Sequence, residues 1–110
     1  MGKAFLTYAS AVILQAVSNG YRYGFDIIDI TGMPGGTVYP ALRRLEDGGH
    51  LASNWENPRI AQAEPRPRRK YYELTKAGQE ILAEAIQRYR QLEHTQLQRK
   101  QSPQTARAQG

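Results

Sequence analysis

The stretch from Pro34 to Leu51, Pro-Gly-Gly-Thr-Val-Tyr-Pro-Ala-Leu-Arg-Arg-Leu-Glu-Asp-Gly-Gly-His-Leu, leaves this chain few folds to choose from. Val38, Leu42 and Leu45 recur at i, i+4 and i+7, so they form one apolar stripe that needs a core. Thr37, Tyr39, Arg43 and Arg44 fall outside the stripe and point away from it. The spacing predicts a helix from about Gly36 to Asp47, ended by Gly48-Gly49. Pro40 lies near the end of its first turn, where a missing N–H does limited harm. Glycines at the start leave the first N–H groups open to close approach by an anion. A free helix start, a hydroxyl, a phenol and two arginines make a candidate surface for DNA. The competing reading is an ordinary amphipathic helix with a solvated basic side.

The flanking sequence supplies scaffold. Phe5, Leu6, Ala9, Val12, Ile13, Ala16 and Val17 repeat with helical spacing, predicting a core helix over residues 4–18 that stops at Asn19-Gly20. Lys3 and the small residues near Ser18 invite comparison with a signal peptide. Thr7, Ser10 and Gln15 interrupt the apolar run, however, and it is too short to span a bilayer. A second, short helix is expected at about Tyr23 to Ile30, followed by turn chemistry at Thr31-Gly32-Met33-Pro34-Gly35.

Beyond the third helix, Leu51 to Trp55 and Lys70 to Leu74 alternate as strands should. Between them, Pro58, Pro65 and Pro67 rule out a regular strand, which predicts a two-stranded hairpin with a long mobile tip. Thr75 can cap a final helix from Lys76 to about Gln98, whose first turn Gly78 weakens. Its apolar stripe is Leu82, Ala85, Ile86, Tyr89, Leu92 and Leu97. That stripe outlasts a small core, so we expect it to meet a second copy of the chain, burial against the first helix being the alternative. From Gln98 the composition is that of a disordered basic tail.

With 110 residues the chain can build one modest core, which disfavours a two-lobed catalytic cleft. Its net charge of +5 is a weak pointer to polyanions, but the distribution is sharper. Arg59, Arg66, Arg68, Arg69 and Lys70 face only Glu64 within one short span. No cysteine is present, and His50 and His94 lack partners at metal-ligand spacing, so neither metal nor cofactor is expected. Gly35-Gly36-Thr37 lacks the lysine of a phosphate loop, and no serine sits in a nucleophile elbow, so no enzymatic activity is expected.

Three helices, a hairpin and another helix give a mainly α fold with a two-stranded β-wing. This is the order of a winged helix-turn-helix with an added C-terminal dimerisation helix, in which the third helix enters the major groove. Residues 1–75 would form the DNA-binding domain, 76–98 the dimerisation helix and 99–110 the tail. Arg43 is the candidate for a guanine edge, and Thr37 and Tyr39 suit phosphates or a thymine methyl. Arg66, Arg68, Arg69 and Lys70 would lie along the backbone or in a minor groove.

Three blocks then match a known pattern. Gly36 to Glu46 with Gly49-His50-Leu51 closely resembles the signature of PadR-type transcriptional regulators. Tyr23-Gly24-Phe25-Asp26-Ile27-Ile28 and Arg69-Lys70-Tyr71-Tyr72-Glu73-Leu74-Thr75-Lys76-Ala77-Gly78 are similar to two further segments of that family, over roughly residues 4–97 in all. The resemblance implies a cytoplasmic homodimer, usually a repressor, of the subfamily with one helix after the wing. It implies double-stranded DNA as partner, no membrane, and often release by a small hydrophobic or phenolic effector. The DNA-facing set is then Gly36, Thr37, Tyr39, Pro40, Arg43 and Arg44 on the helix, with Arg66, Arg68, Arg69, Lys70 and Tyr71 on the wing. Trp55 and Tyr89 are candidate effector contacts, with a plug at the wing–helix junction and interface packing as their competing roles. A winged-helix module that binds protein instead of DNA is the alternative function. The link from Gly24 to Thr37 is shorter than usual for the family, so a truncated second helix is expected.

Overall fold

A nearly all-round apolar first helix organises the chain. The computed structural model describes residues 6–90, and α1 (Tyr8–Ser18) runs through the middle of that body. Seven of its eleven residues are buried, including Ile13, Leu14 and Val17. It starts at Tyr8 rather than at residue 4, because the Thr7 hydroxyl accepts the Ser10 amide at 3.1 Å and sets the first turn there.

The helices α2 (Gly24–Thr31) and α3 (Gly35–Asp47) pack on α1 and on each other. Only eight residues long, α2 ends at Gly32 in the left-handed region, φ +74. Val38, Ala41, Leu42 and Leu45 of α3 are sealed into a core with Ile13, Leu14, Val17 and Ile27. The wing strands β1 (Leu51–Trp55) and β2 (Lys70–Leu74) are antiparallel, with Leu51 opposite Leu74 and Trp55 opposite Lys70. A third edge, absent from the expectation, joins them: Tyr23 bridges to Tyr71, and the Tyr72 amide donates to the Arg22 carbonyl at 2.9 Å.

The hairpin tip corrects the sequence reading. Instead of a mobile loop it holds a short helix, α4 (Pro58–Ala63). Pro58 occupies the first turn, where it fits best, and the Asn57 carboxamide accepts the Arg59 amide at 2.8 Å. The prolines exclude a strand, as expected, yet Asn-Pro is also a helix-start signal.

The last helix, α5 (Lys76–Arg88), is capped by Thr75, whose hydroxyl accepts the Gly78 amide at 3.0 Å. The same hydroxyl donates to the Gly49 carbonyl at 2.6 Å, joining the start of α5 to the α3–β1 turn. Contrary to the expectation of one helix to about Gln98, α5 breaks at Tyr89, which is extended. There the Tyr89 hydroxyl donates to the Leu6 carbonyl at 3.0 Å, and its ring meets Tyr8 edge-on. Leu82 joins the main core and Ala85 packs on Ala11, so this part of the stripe is consumed by the chain's own α1. Leu92 and Leu97 lie outside the described residues.

Candidate nucleic-acid interface

On α3, alternate chemistry falls on opposite sides. Thr37, Tyr39, Pro40, Arg43 and Arg44 are exposed, directly over the buried row that anchors the helix. No side chain caps its start, where the Thr37 and Val38 amides both reach the Pro34 carbonyl, at 2.9 and 3.0 Å. Gly36 stands in open space, so a ligand backbone can approach that end closely. Pro40 leaves the Gly36 carbonyl without an intrahelical donor at an exposed position, where water can serve it.

Tyr39 is 49 % exposed, but its ring is aimed. It lies across Gly24 at the start of α2, so close that a Cβ on Gly24 would stand 2.8 Å from its hydroxyl. The Tyr39 ring can lie there because position 24 carries no side chain. Near its C-terminus, Glu46 accepts a hydrogen bond from the Ser53 hydroxyl and lies 3.6 Å from the Lys70 ammonium. Glu46 thus ties the helix to both wing strands, a role the sequence did not reveal. Tyr72 is buried beneath this link, and burial raises the pKa of its phenol.

The wing residues divide. Arg68 and Arg69 are exposed, and the Arg69 guanidinium rests 4.5 Å over the Phe25 ring. Phe25 stacks on Tyr23, and Tyr23 tilts against Tyr71, so the base of the wing is a row of aromatic rings ending in a cation. Tyr71 is half-buried in that row. Arg66 departs from expectation. Its guanidinium grips Glu56, with a second contact to Glu64 at 2.7 Å, and it is turned from the solvent. This pairing lowers the Glu56 pKa and raises that of Arg66. Lys70 is only partly accessible because Glu46 holds it.

The effector candidates separate as well. Trp55 is 58 % exposed and neither plugs the wing junction nor lines a cleft with Tyr89. Leu51 and Ser53 share its face, yet β1 has run past the core by Trp55. Tyr89 does line a cleft of about 490 Å³, together with Leu6, Ile81, Ala85 and Arg88. Ile86 is half-buried beside it. His50 is half-buried, and among the described residues no cluster of His, Cys, Asp or Glu could hold a metal ion. No helix among those residues is long and apolar enough to cross a membrane.

Three helices under a hairpin, with the third helix bared on its polar side, define a winged helix-turn-helix protein. The model of the transcriptional regulator PadR-like family matches residues 13–84, and the chain belongs to that family of regulators. Among solved structures, the chain is similar to a PadR family transcription regulator from Clostridium difficile. The two are 28 % identical with a TM-score of 0.66, over 84 % of this chain and 97 % of that one. It also shares its fold with a PadR-like transcriptional regulator from Bacillus cereus, at 24 % identity and TM-score 0.60 over 84 % and 91 % of the two chains. A third likeness in fold is to Bordetella bronchiseptica BpsR, whose DNA binding is regulated by 6-hydroxynicotinic acid. That pair is 23 % identical with a TM-score of 0.65, over 87 % of this chain and 68 % of BpsR. No curated protein matches the chain.

Proposed function

We propose that this regulator binds double-stranded DNA sequence-specifically as a cytoplasmic homodimer and represses transcription. One observation supports this reading most: Thr37, Tyr39 and Arg43 are bared along one side of a helix locked from beneath by Val38, Ala41, Leu42 and Leu45. A side chain can read a base edge only if its helix cannot roll. In this reading Arg43 donates two hydrogen bonds to guanine, Thr37 and Tyr39 engage phosphates, and Arg68 and Arg69 follow the backbone. Arg66 is left out of the contact set because Glu56 and Glu64 occupy it.

The dimer reading rests on the apolar stripe of the sequence, which continues through Leu92 and Leu97, and on the open cleft at Leu6, Ile81 and Tyr89. That cleft is also the place we assign to a small aromatic effector, with Tyr89 as its ring contact. Leu92→Asp should give monomers in light scattering, and a dimeric variant would remove this stripe from the interface.

Selection from a random DNA pool tests the whole reading. It should return a two-fold site, on which Arg43→Ala costs about 1–3 kcal/mol and relaxes one base position. Affinity should fall steeply with salt. A flat salt response with tight binding to a protein would favour an interaction module instead.

A further inference from the structure

We propose that Glu56 is a positioning residue for DNA binding, an acid whose role is to hold the wing's arginines in place. The inference rests on the DNA-binding reading above. Four separate interactions run from this one residue to the returning arm of the hairpin. Its carboxylate takes the Arg66 guanidinium on both oxygens, with Oε2 receiving Nη2 at 3.2 Å. Oε1 also accepts the Arg69 amide at 3.0 Å. The Glu56 amide donates to the Arg69 carbonyl at 2.8 Å, and the Glu56 carbonyl accepts Arg68 Nε at 3.1 Å. The side chain is only 4 % exposed, on a tip whose residues are mostly exposed. Arg66 adds contacts to Glu64 and to the Pro67 carbonyl, and its amide reaches the Ala61 carbonyl at 3.1 Å, closing the loop over α4.

The geometry fixes both ends of the exposed pair. Arg69 is pinned through its backbone by Glu56 and through its guanidinium by the Phe25 face, while Arg68 is steadied by the Glu56 carbonyl. A hairpin tip of this length without such a clasp would lose chain entropy on docking, and binding would weaken accordingly. A buried acid paired in this way subtracts little from the positive field that DNA meets.

Simple electrostatics and the clasp predict opposite signs. Removing any acid from a DNA-binding face should tighten binding. Under the clasp, Glu56→Ala instead weakens binding to a fluorescently labelled duplex carrying the selected site, by about tenfold. Glu73→Ala removes the same charge from the wing, where its side chain is 49 % exposed and outside the clasp, and leaves binding equal or tighter. Trypsin should cut the hairpin tip of Glu56→Ala faster than that of the unaltered chain, with helical circular dichroism unchanged in both variants. Glu56→Ala binding as tightly as Glu73→Ala, or resisting trypsin like the unaltered chain, overturns the inference alone. Failure of the unaltered chain to bind any selected duplex overturns the DNA reading and the inference with it.

Discussion

The α-carbon of Gly78 lies directly against the backbone carbonyl of His50. A Cβ there would overlap the carbonyl oxygen and stand 3.0 Å from its carbon. The first turn of α5 can dock on the α3–β1 turn only because position 78 carries no side chain. In most exposed helix interiors alanine is about 1 kcal/mol better than glycine. Here a backbone group blocks the way and no rotamer can relieve it. Gly78→Ala should therefore lower stability by roughly 1–3 kcal/mol, read as a lower urea midpoint at unchanged slope. A midpoint equal to or above the parent's would show that α5 docks differently.

Gly24 faces Tyr39 in a similar way, with the difference that a half-exposed ring can swing aside. Gly24→Ala should cost less stability than Gly78→Ala, and Tyr39→Ala should relieve part of that cost. The double-mutant cycle should give a coupling of about 1 kcal/mol, measured by denaturation. Additive effects would mean that the two residues do not touch in solution.

The clasp at Glu56 gives the wing an acid limit. Bonding to Arg66 holds its carboxyl below the ordinary value of 4.5. A depressed folded-state pKa contributes stability that is complete above the ordinary value and disappears as pH falls through the depressed one. Arg69's amide, which donates to this carboxylate, should report the change by NMR with a midpoint below 4.5, and Glu56→Gln should abolish it. A midpoint at or above the ordinary value would contradict the pairing.

Leu42 is fully buried where α3 meets α1. Leu42→Ala should cost about 2–5 kcal/mol in thermal or urea unfolding. A loss under about 1 kcal/mol would mean that α3 is held by something other than its apolar row.

What the sequence made legible follows from how local each signal is. The α3 stripe, the Thr75 cap and both wing strands are set by spacings of a few residues, and each lies where that spacing predicts. The helix at the tip has a local signal too, Asn57-Pro58, but proline breaks strands as well as starting helices, and spacing alone does not choose between the two. Long-range partners were not legible. Glu64, two residues before Arg66, is the one local sign that sets it apart from Arg68, and the larger difference comes from Glu56, ten residues away and folded against it. Alternation puts Trp55 on the face of Leu51 and Ser53 but does not report where a strand leaves the core, so neither the effector contact nor the plug expected of it could be judged from spacing. Tyr89 ends α5 by bonding to Leu6, 83 residues earlier, which no helical periodicity contains.

The stitch between Arg22 and Tyr72, with the Tyr23–Tyr71 bridge beside it, means the hairpin is no independent arm. Swinging it would drag the segment that feeds α2, and α2 bears on α3 through Gly24 and Tyr39. In the proposed DNA-bound state a duplex would meet a preset jaw, and the bending and groove narrowing needed for a fit would fall mostly on the DNA. Stiffness of the target, as much as its base edges, then becomes part of how a site is chosen.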